Sequence, residues 1–293
     1  MQKIKKINIL VILVIVLSMI VSILSLFYNE GSSSYKFTSI RGEEVTINNS
    51  GIYKYDSVSA AVQGQAQDAV TLFLGIPLLI VSLIFANKGS IKWRLALTGT
   101  MSYFLYTYVL YTFFANFNQL FLFYTSLMTL TLYSFILLMM SFDIASFPSL
   151  FDEKLPVKFI GIYLIVNAAM FGLLWLERII PAQLKNVPPL GLEHYTTLPV
   201  QGMDLGFLIP TAILSGILLL KRTPWGYLLS IVILFKLLTM MNALMAMVIM
   251  QNNAGEDTGP MFIIVTVLSL LLFLCLFLML KHMNENKLSV KTT

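Results

Sequence analysis

A lysine, Lys236, sits inside an apolar run of membrane length, and few positions are harder to explain by packing alone. Residues 203–250 form two apolar runs joined by the basic turn Lys221-Arg222-Thr223-Pro224-Trp225-Gly226. Asp204 opens the first run and Lys236 lies within the second. Ionisable groups in such runs are costly, and where they occur they mark solute pathways, proton relays or counter-ions. Counted from Thr223, Lys236 lies thirteen residues along one run and Asp204 nineteen along the other. Their depths therefore differ by about 9 Å at 1.5 Å per residue. Helical side chains lean toward the N-terminus, which aims these two apart, so a direct ion pair requires a tilt or a kink.

Pro210 is level with Lys236 and would free the carbonyl of Gly206. A purely structural account thus stands beside the functional one: freed carbonyls together with Thr239 or Asn242 would satisfy the ammonium. On the functional account Lys236, Asp204, Asp68 and Asn242 form an intramembrane polar site, with Pro77 and Pro210 as the helix interruptions beside it. The lysine then serves as an anion partner or a gating charge, with Asp204 or Asp68 opposite.

Other chemistry is scarce. The two histidines, His194 and His282, fall in loop and tail and make no transmembrane haem pair, and no zincin, nucleophile-elbow or P-loop pattern is present. Glu193-His194 offers two ligands where zinc takes three or four. The one cysteine, Cys275, lies in an apolar run and reads as a buried thiol. The expectation is no enzyme, no cofactor and no metal. Gly64, Asp68, Thr71, Gly75 and Ser82 share one helical stripe, which fits close helix packing. Of the tyrosines from Tyr103 to Tyr124, Tyr106 and Tyr108 lie deep enough to line a polar cavity or to bond neighbouring helices, and packing is the favoured account.

The elements holding these residues follow from hydropathy. Of 293 residues 58% are hydrophobic and 11% charged, and uncharged runs recur throughout, so water is not the main solvent of this surface. The pattern predicts an all-α polytopic membrane bundle of about eight transmembrane helices, near 7–28, 69–87, 95–115, 120–141, 159–176, 204–220, 227–250 and 260–280. The basic start followed by a long apolar run reads as an uncleaved anchor. Residues 29–67 form an outer segment, and Asn48-Asn49-Ser50-Gly51 between β-prone flanks predicts a small β-hairpin near 41–55. With the N-terminus inside, thirteen basic residues fall in cytoplasmic segments and five in outer ones, which places both termini in the cytoplasm of a cell-membrane protein. Ten of the fourteen acids, among them Asp68, Glu177, Glu193, Asp204, Glu256 and Asp257, fall on or near the outer face. The net charge of +5 follows from this distribution and needs no nucleic-acid partner.

The second and sixth spans match at Ile76/Ile209, Pro77/Pro210, Ile80/Ile213, Ser82/Ser215, Ile84/Ile217 and Lys88/Lys221. A tryptophan, Trp93 or Trp225, follows each basic turn. Such symmetry would make a four-plus-four parallel repeat, as in transporters whose interrupted helices hold the site. Chance among Ile- and Leu-rich helices is the competing explanation. The aspartates do not align, Asp68 lying nine residues before Pro77 and Asp204 six before Pro210.

Gln67-Asp68-Ala69-Val70-Thr71 leading to Gly75-Ile76-Pro77, the block 102–124, Met203-Asp204-Leu205-Gly206, and Pro224-Trp225-Gly226 with Lys236 are short motifs. Together they resemble a multi-pass integral membrane protein family of bacteria and archaea that has no assigned activity. The resemblance covers most of the membrane part, and it implies neither a substrate nor a catalytic residue. The functional expectation is a small solute or ion, transported or bound within the lipid bilayer. The competing expectation is a non-catalytic membrane subunit or sensor that works through residues 29–67 or a protein partner.

Overall fold

Away from water each backbone N–H and C=O must be satisfied within its own segment, and the long apolar runs accordingly fold as helices. The computed structural model describes residues 2–255 and 257–285, residues 2–4 as backbone alone. Glu256, Lys287 and Lys291 lie outside the described residues. Eight long helices follow in order among them: α1 (Gln2–Phe27), α2 (Val58–Asn87), α3 (Ile91–Phe113), α4 (Phe121–Met139), α5 (Val157–Lys185), α6 (Pro199–Leu220), α7 (Pro224–Asn253) and α8 (Met261–Lys281). Seven of them, all except α3, are long and apolar enough to cross a membrane. Their outward faces are apolar too, with Phe73, Phe207, Ile263 and Phe277 all exposed. The exception, α3, carries Lys92 and Arg94 and a run of tyrosines and threonines, and its neighbours bury most of it.

The central contact is α3 against α7. A Cβ on Gly99 would collide with Cβ of Phe235 and lie 2.9 Å from the carbonyl of Val232, so the two helices approach as closely as a missing side chain allows. Around α3 pack α2 and α4, around α7 pack α6 and α8, and α1 and α5 complete the two sides. The buried apolar residues accordingly divide into two clusters, one drawn mainly from α1–α4 and the other mainly from α5–α8.

Two tight turns have the same construction. In one, Gly89 (φ 94°) precedes Ser90, whose hydroxyl accepts from Trp93 N–H at 3.3 Å. In the other, Arg222 (φ 52°) precedes Thr223, whose hydroxyl accepts from Gly226 N–H at 3.1 Å. A hydroxyl at the N-cap satisfies one of the helix's orphan donors.

The hairpin lies earlier than the turn residues imply. Strands β1 (Tyr35–Thr38) and β2 (Glu44–Ile47) pair antiparallel, Tyr35 opposite Ile47. Ser39 closes the hairpin turn with its N–H on the Glu43 carbonyl at 2.8 Å. The Asn48–Gly51 stretch does turn, with positive φ at Asn49 and Gly51. It returns the chain toward α2, and residues 52–55 make no second strand. The helices also outrun the expected spans at the hairpin end: α2 starts at Val58, capped by Ser57, and α5 continues to Lys185 through Pro181.

Candidate functional site

The site begins with a backbone irregularity. Proline cannot donate to the carbonyl four residues back, and before Ile209-Pro210 the helix α6 widens into one π-turn, Asp204–Leu208, in which Ile209 N–H bonds the Asp204 carbonyl. A second π-turn, Thr71–Gly75, precedes Ile76-Pro77 in α2, with Ile76 N–H on the Thr71 carbonyl. Single π-turns of this kind are common at functional sites. Pro77 and Pro210 themselves are exposed on the outside of the bundle.

Asp204, at the start of its π-turn, is buried and accepts two hydrogen bonds. Tyr106 on α3 donates its hydroxyl to Oδ1 at 2.6 Å, and Trp175 on α5 donates Nε1–H to Oδ2 at 2.9 Å. Lys236 on α7 is 3% exposed, and its Nζ lies 3.9 Å from the centroid of the same Tyr106 ring. Among the described residues Nζ has no hydrogen-bond partner, and the only ion pair is the exposed Lys36–Glu44 at 2.8 Å. The ring therefore couples the two charges, its face to the ammonium and its hydroxyl to the carboxylate. Cation–π contact at a desolvated site is worth about 2 kcal/mol.

The freed carbonyl expected to satisfy Lys236 does not do so. Pro210 and Gly206 both face outward. Thr239 spends its hydroxyl on the Phe235 carbonyl at 2.9 Å. Asn242, expected within the site, is exposed and donates to the Leu238 carbonyl at 2.8 Å. It points away because residue 242 lies six positions, well over a full turn, past Lys236 and falls on another face.

Asp68 is not the counterpart of Asp204. It anchors a cluster of its own, accepting from Ser25 of α1, from Tyr53 at 2.6 Å and from Tyr111 at 3.1 Å. The residue matching Asp204 in α2 is Thr71, which also opens a π-turn. Its hydroxyl lies 3.1 Å from that of Tyr103, to which Gln67 also donates at 2.8 Å.

A cavity of about 130 Å³ reaches Asp204, walled also by Tyr106, Asn167, Phe171, Trp175 and Met240. A second, of about 100 Å³, adjoins it toward the hairpin end and shares Tyr106, Met240 and Met247 with the first. Asp56, Gln63 and Gln67 line the second. Beyond it a groove of about 680 Å³ shares Ala60 and Gln63 and carries Glu177, Arg178 and Glu193 at its rim. Tyr106 thus stands between the two inner chambers.

Asp56 itself is buried under the hairpin segment. Its Oδ1 accepts from Asn116 N–H at 3.1 Å, Asn116 Nδ2 at 2.9 Å and Tyr195 OH at 2.9 Å. Its Oδ2, also buried, has no partner among the described residues. Burial pushes the Asp56 carboxyl up, against the lowering effect of its hydrogen bonds. Burial and then the Asp56 charge push the Tyr195 phenol up in turn. His194 joins this cap through Asn116 and the Tyr55 carbonyl, and no group of three potential metal ligands exists among the described residues.

Lys236 and Asp204 therefore come together, while Asp68 stands apart and Asn242 lies outside. Tyr106, Trp175, Asn167 and Asp56 complete the picture. Trp175 carried a signal of its own, being the one tryptophan away from a basic turn. Comparison with protein-family models, curated proteins and solved structures finds no match to the chain.

Proposed function

We propose that this chain is an integral membrane protein, not an enzyme, that binds and carries a small solute or ion in the cavity at Asp204 and Tyr106, with Lys236 against the Tyr106 ring. One observation carries the reading: a series of adjoining cavities leads from the hairpin end to a buried carboxylate, which Tyr106 links to a buried ammonium that has no hydrogen-bond partner among the described residues. A protein whose polar residues served packing alone would have a closed centre. In this reading all eight helices span a cell membrane, with both termini cytoplasmic by the count of basic residues and the cavities open to the outside.

The same reading makes the chain a four-plus-four parallel duplication. A shift of 133 residues (77 to 210) superposes both prolines, both π-turns, Ser82 on Ser215, Gly89 on Arg222 and Ser90 on Thr223. The same shift places Tyr103 on Lys236, so the Thr71–Tyr103 hydrogen bond answers to the charged Asp204–Lys236 pair.

Cysteine accessibility tests the route. In a Cys275→Ser background, Gln63→Cys and Met247→Cys should react with a membrane-impermeant maleimide from the hairpin side of intact cells, and Leu228→Cys, buried near the opposite end, should not. Protection of both route cysteines would mean a dry centre and refute the reading.

A second reading rests on β1, whose four residues are all exposed. An uncovered edge strand can take up a partner strand, which suits a non-catalytic subunit or sensor. A partner that co-purifies with the wild type and is lost on Phe37→Pro would favour it.

A further inference from the structure

The charged groups that line the inner cavities are both carboxylates. Asp204 lies in the first and Asp56 in the second, while Lys236 belongs to the wall of neither. Each carboxylate has acceptor capacity to spare. A carboxylate offers about four lone-pair sites, of which Tyr106 and Trp175 use two at Asp204, and Oδ2 of Asp56 is buried with no donor among the described residues.

The remaining walls are aromatic and aliphatic. Tyr106, Phe171 and Trp175 surround Asp204 together with Leu208, Met240 and Met241. Hard metal cations want six or more oxygen ligands, and the first cavity supplies only Asp204 and the Asn167 amide as strong oxygen donors beside one phenol. Ring faces and thioethers next to a carboxylate fit a different ligand, an organic ammonium with a short apolar body.

We propose that the two cavities are successive stations for a small alkylammonium, first at Asp56 and then at Asp204. This rests on the solute-binding reading above and names the class of solute. The ammonium takes the unused acceptor sites of Asp204, and its alkyl part lies against Phe171, Leu208 and Met241. Tyr106, Met240 and Met247, common to both chambers, form the step between them. Lys236 is then the resident counter-charge: it balances Asp204 through the Tyr106 ring before the ligand arrives, and its positive charge opposes the incoming cation.

That last point sets the sign of the test. Purified protein with Trp93→Phe and Trp225→Phe retains Trp175 as its only fluorophore of that kind, and n-butylammonium chloride serves as the probe. Binding should be saturable and should shift Trp175 emission, whereas butan-1-ol and sodium butyrate should cause no saturable change. Asp204→Asn should weaken binding tenfold or more, Asp56→Asn should weaken it less, and Lys236→Met should tighten it tenfold or more. Equal binding of butan-1-ol, or butyrate binding that Lys236→Met abolishes, would overturn the assignment. So would unchanged affinity in Asp204→Asn. Should that variant lose its cooperative melt, the wild-type comparison of the three probes still decides. Binding without uptake into proteoliposomes would refute carriage while leaving the cation site standing.

Discussion

Lys236→Met nearly preserves the length of the side chain and deletes its charge, and the surroundings of Nζ set the sign expected for stability. Holding an ammonium away from water costs several kcal/mol even after relaxation. Two interactions offset that. The Tyr106 ring at 3.9 Å contributes about 2 kcal/mol. Asp204 lies beyond the 4.0 Å of an ion pair, so its attraction is below about 4 kcal/mol at an effective dielectric of 20. No hydrogen bond from the described residues adds to these. Methionine keeps the buried aliphatic stem, and Asp204 retains both its donors. The two attractions do not clearly exceed the cost of burying the ammonium, and Asp204 stays hydrogen-bonded to Tyr106 and Trp175, so the variant should melt within about 1 kcal/mol of the wild type or above it. The assay is reversible unfolding in SDS–detergent mixtures, followed by Trp emission. A loss of about 3 kcal/mol or more, the usual cost of breaking a structurally needed buried pair, would show that Lys236 holds the fold together. The site reading would then fall.

Gly99→Leu should cost several kcal/mol or prevent folding, because even a Cβ collides with Phe235 at the α3–α7 crossing; wild-type thermal stability would disprove that contact. Tyr195→Phe removes a donor from Asp56 at 2.9 Å, at a cost of about 1–3 kcal/mol, and should speed limited proteolysis between residues 29 and 57. The Asp56 carboxyl is held above its unfolded value, so the folded state favours the proton. The stability this confers is complete below about pH 3.9, the unfolded value, and is lost as pH rises through the folded one. Asp56→Asn should flatten the acid side of the melting profile, and an unchanged slope would refute this.

The helices were legible because a bilayer-length apolar run has few alternatives. The eighth long helix, α3, shows why composition alone draws it less clearly: its tyrosines and threonines face neighbours, and burial inside the bundle lifts the demand for an apolar exterior. The hairpin was misplaced because Asn48-Asn49-Ser50-Gly51 is a genuine turn, and sequence cannot tell a turn between strands from one that feeds a helix. At the site, Lys236 and Asp204 drew attention as rare charges. Their link through Tyr106 was hidden because that tyrosine sits about a hundred residues from Asp204 in sequence and among others like it. Asn242 misled because proximity in sequence says nothing of helical face.

The prolines illustrate the same point more sharply. Counting residues from Pro210 assigned Lys236 a freed carbonyl, on the assumption that the helix keeps its period up to the proline. A π-turn adds one residue to a single turn and rotates everything before it by about 100° relative to a continuous α-helix. That rotation brings Asp204 to the Tyr106 hydroxyl, while Pro210 stays on the outside. In α2 the same turn brings Thr71 to Tyr103. Under the proposed duplication the two halves share a frame and differ in what it holds, a neutral hydrogen bond in one and a divided charge in the other. Thr71→Asp with Tyr103→Lys would write the second pair into the first half. If the frame is common to both, the double variant should be more stable than Tyr103→Lys alone, whose nearby buried carboxylate, Asp68, already accepts from Ser25, Tyr53 and Tyr111.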